Sequence, residues 1–391
     1  MAPGTFRHEA MPYPDTGDLV GLVASFLEPA LRAGDPVLVV LDAAKGDDLR
    51  AALRPAGRAV TVCDVRAAGG NPAHLLPILR SFVDANAGRP LWGVSEGLWP
   101  GRSTCEVVEY LQHEVLLNSA LADVPSFTLL CPFDRSSLPE GAVADAVDRH
   151  PAVHIAGSSR PNVGFLDIDD ATLLADPLPA PPGDARVLPF TDADLPAVRG
   201  HVAAVAQSLG FSREQVGDVV LAVDEVATNS YRHGGGAGTL RTWEPDGGGL
   251  TCEIRDGGRF SDPMVGRRRP PVDQIGGRGL WIANQLCDLV QVRSTGAGTV
   301  VRLYARATRD QAATVRRLST ATTPGTSQAS SVAACSTTGE STSPSSATTR
   351  SLTSTRMSKS WVKMFSFSRL TRAAFISRSV GTTSSGTSCQ S

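Results

Sequence analysis

The chain has 391 residues, of which 41% are apolar and 19% charged; this length favours two domains or two domains plus a tail, and the composition excludes a wholly disordered protein. A formal net charge of −2 excludes a generally basic protein that seeks polyanions. The seven cysteines include no CxxC pair, which argues against a disulfide framework and a structural zinc site. The start shows no secretory signal and no apolar run reaches the ~20 residues of a membrane span, so we expect a cytoplasmic protein.

Charge is distributed unevenly along the chain. Residues 308–391 carry ten basic and two acidic residues, so that the preceding part has a net charge of −10. This Ser/Thr-rich stretch cannot bury enough apolar area to offset its chain entropy, and we expect a disordered basic tail. Within it, residues 361–379 could form a basic amphipathic helix for a membrane or nucleic acid. Their apolar positions keep no helical period, which favours no defined role.

The first 177 residues predict an α/β domain. Short apolar runs typical of buried strands alternate with segments of helical periodicity, and such alternation indicates a mostly parallel sheet covered by helices. The predicted strands are 36–42, 58–65, 90–96 and 126–134.

A proline-rich linker is predicted at residues 178–185, followed by a second domain at residues 186–307. There, a strand (186–190) and two helices (194–210 and 212–233) precede two hairpins separated by a loop and the helix 279–288. Helices grouped apart from antiparallel hairpins indicate an α+β two-layer sandwich.

Three polar residues share one face of the helix 212–233. Glu225, Asn229 and His233 are spaced i, i+4 and i+8. A carboxylate one turn from a carboxamide suits a nucleotide site, where the amide oxygen ligates Mg²⁺ and the carboxylate activates a hydroxyl. The same spacing is also that of an ordinary solvated helix face.

Two glycine-containing segments follow this helix. Asp256 ends a predicted strand and precedes Gly257 and Gly258. This segment is either a simple turn, or a site where the Asp256 carboxylate accepts a hydrogen bond from an exocyclic amine. Gly277, Arg278 and Gly279 precede a predicted helix. This glycine segment is either a flexible loop or a site that binds phosphate through backbone N–H groups.

The order of these motifs is informative. An ExxxN helix, a DxG strand end, a glycine loop and a late Gly-Thr strand together resemble the GHKL superfamily of ATP-binding domains, and most of all the anti-sigma-factor serine kinases. The likeness covers residues 187–305 and implies the GHKL (Bergerat) fold with ATP and Mg²⁺ as cofactors.

That resemblance implies a role for each motif residue. Glu225 would be the general base, and Asn229 would hold Mg²⁺. Asp256 would recognise adenine. The remaining implied nucleotide contacts are His233, Gly258, Gly277, Arg278, Gly279, Leu280 and Thr299. The loop 261–275 would be the ATP lid, and its arginines 267–269 would either neutralise triphosphate, meet an acidic partner or form a solvated basic loop.

The resemblance also implies a function. It predicts an ATP-dependent protein serine/threonine kinase that binds a sigma factor and phosphorylates a STAS-type antagonist, with no direct nucleic-acid or membrane partner and with a homodimer as one option. Two alternatives remain: a non-catalytic ATP-binding anti-sigma factor or scaffold, and a degenerate histidine kinase. For the latter, His113-Glu114 imitates a phosphoacceptor box, but an exposed histidine on an amphipathic helix is the simpler interpretation.

The first domain resembles MEDS-type sensory domains, through FRHEAMPYPD (6–15), the strand around 34–42 and WGVSEGLWPGRS (92–103). This implies a RecA-like sheet and the sensing of a small-molecule signal. Lys45 lies outside any Gly-x4-Gly-Lys-[Ser/Thr] motif, so a second phosphate loop is not supported. Candidates for a ligand pocket are His8, Tyr13, Glu96 and Trp99.

Overall fold

The computed structural model describes residues 5–53, 60–68, 70–271 and 277–307. The predicted disordered tail, the amphipathic segment 361–379 and part of the glycine loop (272–276) lie outside the described residues. In the described part, two sheets are each accompanied by helices.

The first sheet has seven strands in the order β3-β2-β4-β5-β1-β6-β7. All pairs are parallel except the β6–β7 hairpin. Its strands are β1 (Arg7–Tyr13), β2 (Val37–Leu41), β3 (Val60–Asp64), β4 (Leu91–Ser95), β5 (Phe127–Asp134), β6 (Ala152–Ile155) and β7 (Ser158–Pro161). The helices are α1 (Leu19–Ala33), α2 (Ala43–Ala52), α3 (Val65–Ala68), α4 (Leu75–Ala85), α5 (Thr104–Ala120) and α6 (Glu140–Val147).

Strand β1 was not among the predicted strands, although it lies near the middle of the sheet between β5 and β6. Its sequence, RHEAMPY, has neither a continuous apolar run nor strict alternation. The strand buries the polar side chains of His8 and Glu9 almost completely. Buried polar groups need partners, and those partners come from distant parts of the chain.

The second sheet has five antiparallel strands in the order β11-β12-β10-β9-β8. The strands are β8 (Arg186–Phe190), β9 (Gly238–Trp243), β10 (Leu250–Asp256), β11 (Leu289–Thr295) and β12 (Gly298–Ala305). With them come the helices α7 (Leu195–Ser208), α8 (Arg213–His233) and α9 (Gly279–Leu286). Apolar residues from the strands and all three helices form one buried core, as a two-layer α+β sandwich requires. The predicted fold class is confirmed for both sheets.

Helix α5 corrects one expectation from the sequence. His113 and Glu114 are both buried, with 2% and 1% of their surfaces exposed, so the predicted exposed histidine on an amphipathic helix is wrong. The helix starts with a capping box between Ser103 and Glu106 and then buries residues on several faces, because it contacts groups of both sheets.

None of the helices in the described part of the chain combines the length and the apolar character needed to cross a membrane.

Candidate functional site

Helix α8 presents the first group of predicted site residues. Its Ser212–Gln215 capping box fixes where the helix begins, and its apolar stripe packs into the core of the second sheet. Glu225 and Asn229 are half-buried, whereas His233 is exposed at the helix end. The helix therefore carries Glu225 and Asn229 beside one another at the edge of the core.

The start of helix α9 lies directly over this pair. A methyl group placed on Gly279 would lie 2.7 Å from Asn229 Nδ2 and 3.0 Å from Glu225 Oε2. A glycine is thus needed for the approach. Since the first N–H groups of a helix have no partner within it, α9 brings unpaired donors and the positive end of its dipole to Glu225 and Asn229. Backbone N–H donors, the side-chain amide of Asn229 and the carboxylate of Glu225 therefore lie together, a set of groups that fits a magnesium-bound phosphate.

Asp256 forms the other end of the site. Its Oδ2 accepts a hydrogen bond of 2.6 Å from Ser230 Oγ, and its Oδ1 accepts one of 2.7 Å from Gly258 N. Gly234 lies against the carboxylate, since a methyl group on it would come within 2.5 Å of Asp256 Cγ. Asp256 is consequently held in one orientation at the end of β10, close to the C-terminus of α8.

Thr299 supports the same corner. It pairs with Asp256 in the β10–β12 register, and its hydroxyl donates a 2.9 Å hydrogen bond to the carbonyl oxygen of Gly258. The preceding Gly298 has φ +111°, and a methyl group there would lie 2.1 Å from the Asp256 carbonyl oxygen. The backbone around Asp256 therefore requires a glycine at position 298, and Thr299 adds a hydrogen bond through its hydroxyl.

The glycine loop contributes differently along its length. Gly277 is exposed with φ +69°, a conformation that favours glycine. Arg278 donates from Nη2 to the Pro271 carbonyl oxygen at 3.0 Å, so this guanidinium group contacts the lid. The Leu280 side chain is buried in the core, which leaves its backbone N–H as the group that could meet a phosphate.

Electrostatics favour a proton-accepting role for Glu225. Burial raises the pKa of its carboxyl above the ordinary value of 4.5; Asp224 adds to this and Arg232 opposes it. A carboxylate with a raised pKa is a better base than a fully solvated one.

Two known families match this chain. Residues 188–305 match the family described as "Histidine kinase-like ATPase domain", and residues 7–151 match the family described as "MEDS: MEthanogen/methylotroph, DcmR Sensory domain". The chain joins a MEDS domain to a histidine kinase-like ATPase domain. The ATPase domain is thereby an ATP-binding domain, and its match contains the described residues of the site above.

Among solved structures, the chain is similar to "The crystal structure of the RsbU and RsbW domains of Rv1364c from Mycobacterium tuberculosis", at 13% identity and a TM-score of 0.24. The similarity covers 53% of this chain and 49% of that one, so it spans about half of each. At that TM-score the likeness supports no argument. A comparison with curated proteins gave no significant match.

The lid of the ATPase domain contacts the MEDS domain. Arg267 is buried, and its Nη2 lies 2.6 Å from Glu109 Oε2 on α5. Arg293 on β11 approaches the other oxygen of Glu109 at 2.8 Å. One carboxylate therefore holds two buried guanidinium groups. Arg268 and Arg269 are exposed.

A second connection runs through Asn284 on α9. Asn71 donates to Asn284 Oδ1 at 2.9 Å, and Asn284 Nδ2 donates to the carbonyl oxygen of Gly266 in the lid at 3.1 Å. His74 Nε2 lies 2.6 Å from the Asn284 carbonyl oxygen. The MEDS domain thus contacts Arg267 of the predicted lid and Asn284 of helix α9.

Two of the four predicted pocket residues of the MEDS domain, Tyr13 and Glu96, contact one another directly. Tyr13 donates a 2.7 Å hydrogen bond to Glu96 Oε1, and Lys45 Nζ lies 2.7 Å from the same oxygen. Burial raises the pKa of both Tyr13 and Glu96. Trp99 lies under the guanidinium group of Arg102 at 3.6 Å, and His8 contacts Glu114 at 3.1 Å.

Sequence reasoning missed several residues that shape these sites. Ser230 carries a hydroxyl in the buried stripe of α8, and that polar position within an apolar pattern was the one signal that could have identified it. Glu109, Asn71 and Asn284 gave no signal, because each acts through a partner far along the chain.

Proposed function

We propose that this protein is an ATP-dependent protein serine/threonine kinase of the anti-sigma-factor type, regulated by its MEDS domain. The observation that carries the proposal is the contact of Gly279 with both Asn229 and Glu225, which sets the start of α9 against the base and the amide. The match of residues 188–305 to histidine kinase-like ATPase domains supports ATP as the phosphate donor.

Asn229 is the residue that would hold Mg²⁺, and the N–H groups at Gly277, Gly279 and Leu280 would meet the phosphates. Bound Mg²⁺ would neutralise charge on the transferred phosphoryl group. Asp256, oriented by Ser230, would accept a hydrogen bond from the adenine amino group. His233 is exposed at the C-terminal end of α8, and its nucleotide contact is proposed from the resemblance alone.

Glu225 takes the proton from the hydroxyl of the protein substrate in this proposal. Its carboxylate is half-buried next to Gly279, and its raised pKa favours proton acceptance. Positioning and charge neutralisation provide the rest of the catalysis.

The protein partners follow from the resemblance of the motifs to anti-sigma-factor serine kinases. We propose a sigma factor as the protein that the ATPase domain sequesters, and a STAS-type antagonist as the protein that it phosphorylates. A hydroxyl-bearing side chain of the antagonist would be the phosphate acceptor.

The MEDS domain can act on the site through the lid. Glu109 fixes Arg267, and the Asn71–Asn284–Gly266 hydrogen bonds fix the lid next to it. A change in the position of these MEDS residues alters the lid without touching Glu225 or Asn229.

Transfer of labelled phosphate from ATP to a purified STAS-type protein tests the kinase. We expect transfer by the full chain, its loss in Glu225→Gln with ATP binding retained, and loss of Mg²⁺-dependent ATP binding in Asn229→Ala. Glu214→Gln, in the exposed first turn of the same helix, is the matched control and should leave both unchanged. Normal Mg²⁺-ATP binding by Asn229→Ala would contradict the assignment.

The two alternatives are separable by the same assay. Binding of ATP without transfer would favour a non-catalytic anti-sigma factor or scaffold. An acid-labile phosphate on the chain itself would favour a degenerate histidine kinase, but the burial of His113 argues against it as phosphoacceptor, because a phosphoacceptor has to reach the nucleotide.

A further inference from the structure

Four potential metal ligands converge inside the MEDS domain, away from the ATP site. His8 on β1, Glu114 on α5, Cys131 on β5 and His150 after α6 are all buried, and one ligand atom from each lies within 4.8 Å of all the others. Glu114 Oε2 is 3.1 Å from His8 Nε2 and 3.3 Å from His150 Nε2.

The hydrogen bonds around both histidines fix which nitrogen faces the cluster. His150 Nδ1 lies 2.8 Å from the Ala146 carbonyl oxygen, which can only accept, so His150 carries its proton on Nδ1. Its Nε2 is buried and faces Glu114 Oε2 at 3.3 Å without the geometry of a hydrogen bond. A lone pair therefore points into the cluster.

His8 repeats this arrangement. Its Nδ1 lies 3.0 Å from Asn118 Oδ1, and the amide nitrogen of Asn118 donates to the Arg149 carbonyl oxygen at 3.0 Å. That second hydrogen bond makes Oδ1 the acceptor, so His8 also donates from Nδ1 and turns Nε2 inward. A metal-ligating histidine almost always donates its other N–H in this way.

Four of the six distances between the inward atoms are close to the edges of a tetrahedron around one metal ion, and the other two are at most 4.8 Å. Zinc-ligand lengths of about 2.0–2.3 Å give tetrahedral edges of about 3.3–3.6 Å. The edges observed are 3.1 and 3.3 Å from Glu114 to the histidines, 3.4 Å from Cys131 Sγ to His8 Nε2 and 3.7 Å from Cys131 Sγ to Glu114 Oε2.

Charge and surroundings fit as well. A divalent ion would balance the thiolate of Cys131 and the carboxylate of Glu114, so that the buried site would be neutral overall. The ring centroids of His8 and His150 lie 4.0 Å apart with the rings tilted by 44°, Phe6 and Phe133 flank them, and both imidazoles are shielded from solvent.

We propose that His8, Glu114, Cys131 and His150 form a binding site for one divalent transition-metal ion, Zn²⁺ by its donor set. Two imidazoles, a thiolate and a carboxylate in tetrahedral array are the ligands that Zn²⁺ takes in proteins. Asn118 is a positioning residue that orients His8.

Cobalt substitution tests the site directly. The reduced full chain is freed of metal with a chelator, dialysed against Co²⁺ or Zn²⁺, and analysed for bound metal by mass spectrometry. We expect one metal ion per chain and, with Co²⁺, a thiolate-to-cobalt charge-transfer band with the d–d bands of tetrahedral geometry. Less than a tenth of an equivalent bound in the wild type, or a cobalt spectrum without the charge-transfer band, would overturn the proposal without any variant.

Variants then locate the site. Cys131→Ala should abolish the charge-transfer band, whereas Cys252→Ala, which removes an equally buried thiol from the second sheet, should keep it. The double variant Cys335→Ser/Cys389→Ser removes the two thiols of the tail and should also keep it. A band that survives Cys131→Ala, or that disappears in the double variant, would refute the assigned ligands.

Asn118→Ala tests the site while keeping all four ligands, in case a ligand variant does not fold. Loss of a residue that orients a metal ligand weakens metal affinity by about 10–100-fold. We expect the same loss of zinc affinity in Asn118→Ala. Zn²⁺ should raise the melting temperature of the wild type, and Asn118→Ala should need a correspondingly higher zinc concentration for the same rise. Equal zinc affinity in the two proteins would contradict the orientation of His8 towards a metal.

Discussion

Glu109 of the MEDS domain receives Arg267 of the ATP lid at 2.6 Å, and both side chains are buried. The same carboxylate also holds Arg293 at 2.8 Å. A buried cation that loses its partner has neither water nor a counter-ion to compensate it. This carboxylate is therefore important both for stability and for the position of the lid.

Glu109→Gln should destabilise the protein by about 3–5 kcal/mol, because it leaves two buried guanidinium groups without a negative charge. The measurement is the free energy of unfolding by chemical denaturation. Glu28→Gln is the control: it removes an acid from an exposed ion pair with Arg32, and such pairs contribute roughly 0–1 kcal/mol. Equal effects of the two substitutions would show that the Glu109 pairs add nothing beyond a surface contact.

Gly279→Ala should weaken ATP binding by about tenfold or more, since the added methyl group would overlap Asn229 Nδ2 and crowd Glu225, and such overpacking costs about 1–3 kcal/mol. Calorimetric titration with Mg²⁺-ATP measures the change. Gly217→Ala, at an open position of α8, provides a glycine-to-alanine change with no atom within 4 Å and should leave affinity unaltered. Unchanged Mg²⁺-ATP affinity in Gly279→Ala would mean that nucleotide binding does not depend on the close approach of α9 to α8.

Ser230→Ala should reduce ATP affinity by about tenfold, because the hydroxyl that orients Asp256 is lost and a hydrogen bond to a charged group contributes about 1.5–3 kcal/mol. The preference for ATP over GTP should fall with it, since Asp256 is the proposed adenine contact. Competition binding with both nucleotides measures this. Ser208→Ala, which loses only an exposed hydroxyl, is the control. An intact ATP-over-GTP preference in Ser230→Ala would argue against Asp256 as the base-reading residue.

His74 should make the domain contact sensitive to acid. Burial lowers its pKa below the ordinary value of 6.5, with the Asn284 and Ala68 carbonyl oxygens and Asp288 opposing that shift. The unfolded chain therefore binds the proton more readily, and the His74 contribution to stability is present above pH 6.5 and is lost as the pH falls towards the folded pKa.

Comparison of the wild type with His74→Gln isolates this contribution. The difference in free energy of unfolding between the two proteins should be larger at pH 7.5 than at pH 5.5, because only the wild type carries the titrating imidazole. Asp288, whose pKa is raised by burial, is present in both proteins, so its own titration cancels in the difference between their free energies of unfolding. A difference that does not change with pH would exclude His74 as the titrating group.

The sequence predicted the elements that depend on local pattern. The four apolar runs of the first sheet, the helical pattern of 212–233 and the glycines around Asp256 depend on neighbouring residues, and the structure confirms the strands and helices that they implied. The functional roles assigned to Glu225, Asn229 and Asp256 stay predictions, although the structure sets the first two beside Gly279 and fixes the orientation of the third.

Features that depend on distant partners were not predictable in this way. Strand β1 has a polar sequence that becomes stable only when other segments supply partners, as the Glu114 carboxylate does for His8. His113 was expected to be exposed because α5 was interpreted as covering one sheet, whereas it contacts groups of both. The scattered cysteines argued against zinc, yet Cys131 meets ligands that are 17, 19 and 123 residues away along the chain.

Helix α5 carries two buried acids five residues apart, Glu109 against Arg267 and Arg293 and Glu114 against His8 and His150. At 1.5 Å per residue they are separated by about 7.5 Å along the helix axis. The seventeen residues of α5 contain neither glycine nor proline, so no residue that commonly kinks a helix separates the two acids. One unbroken helix therefore joins the histidine cluster to the contact with the ATPase domain, and we expect a shift of Glu114 along the axis to shift Glu109 as well.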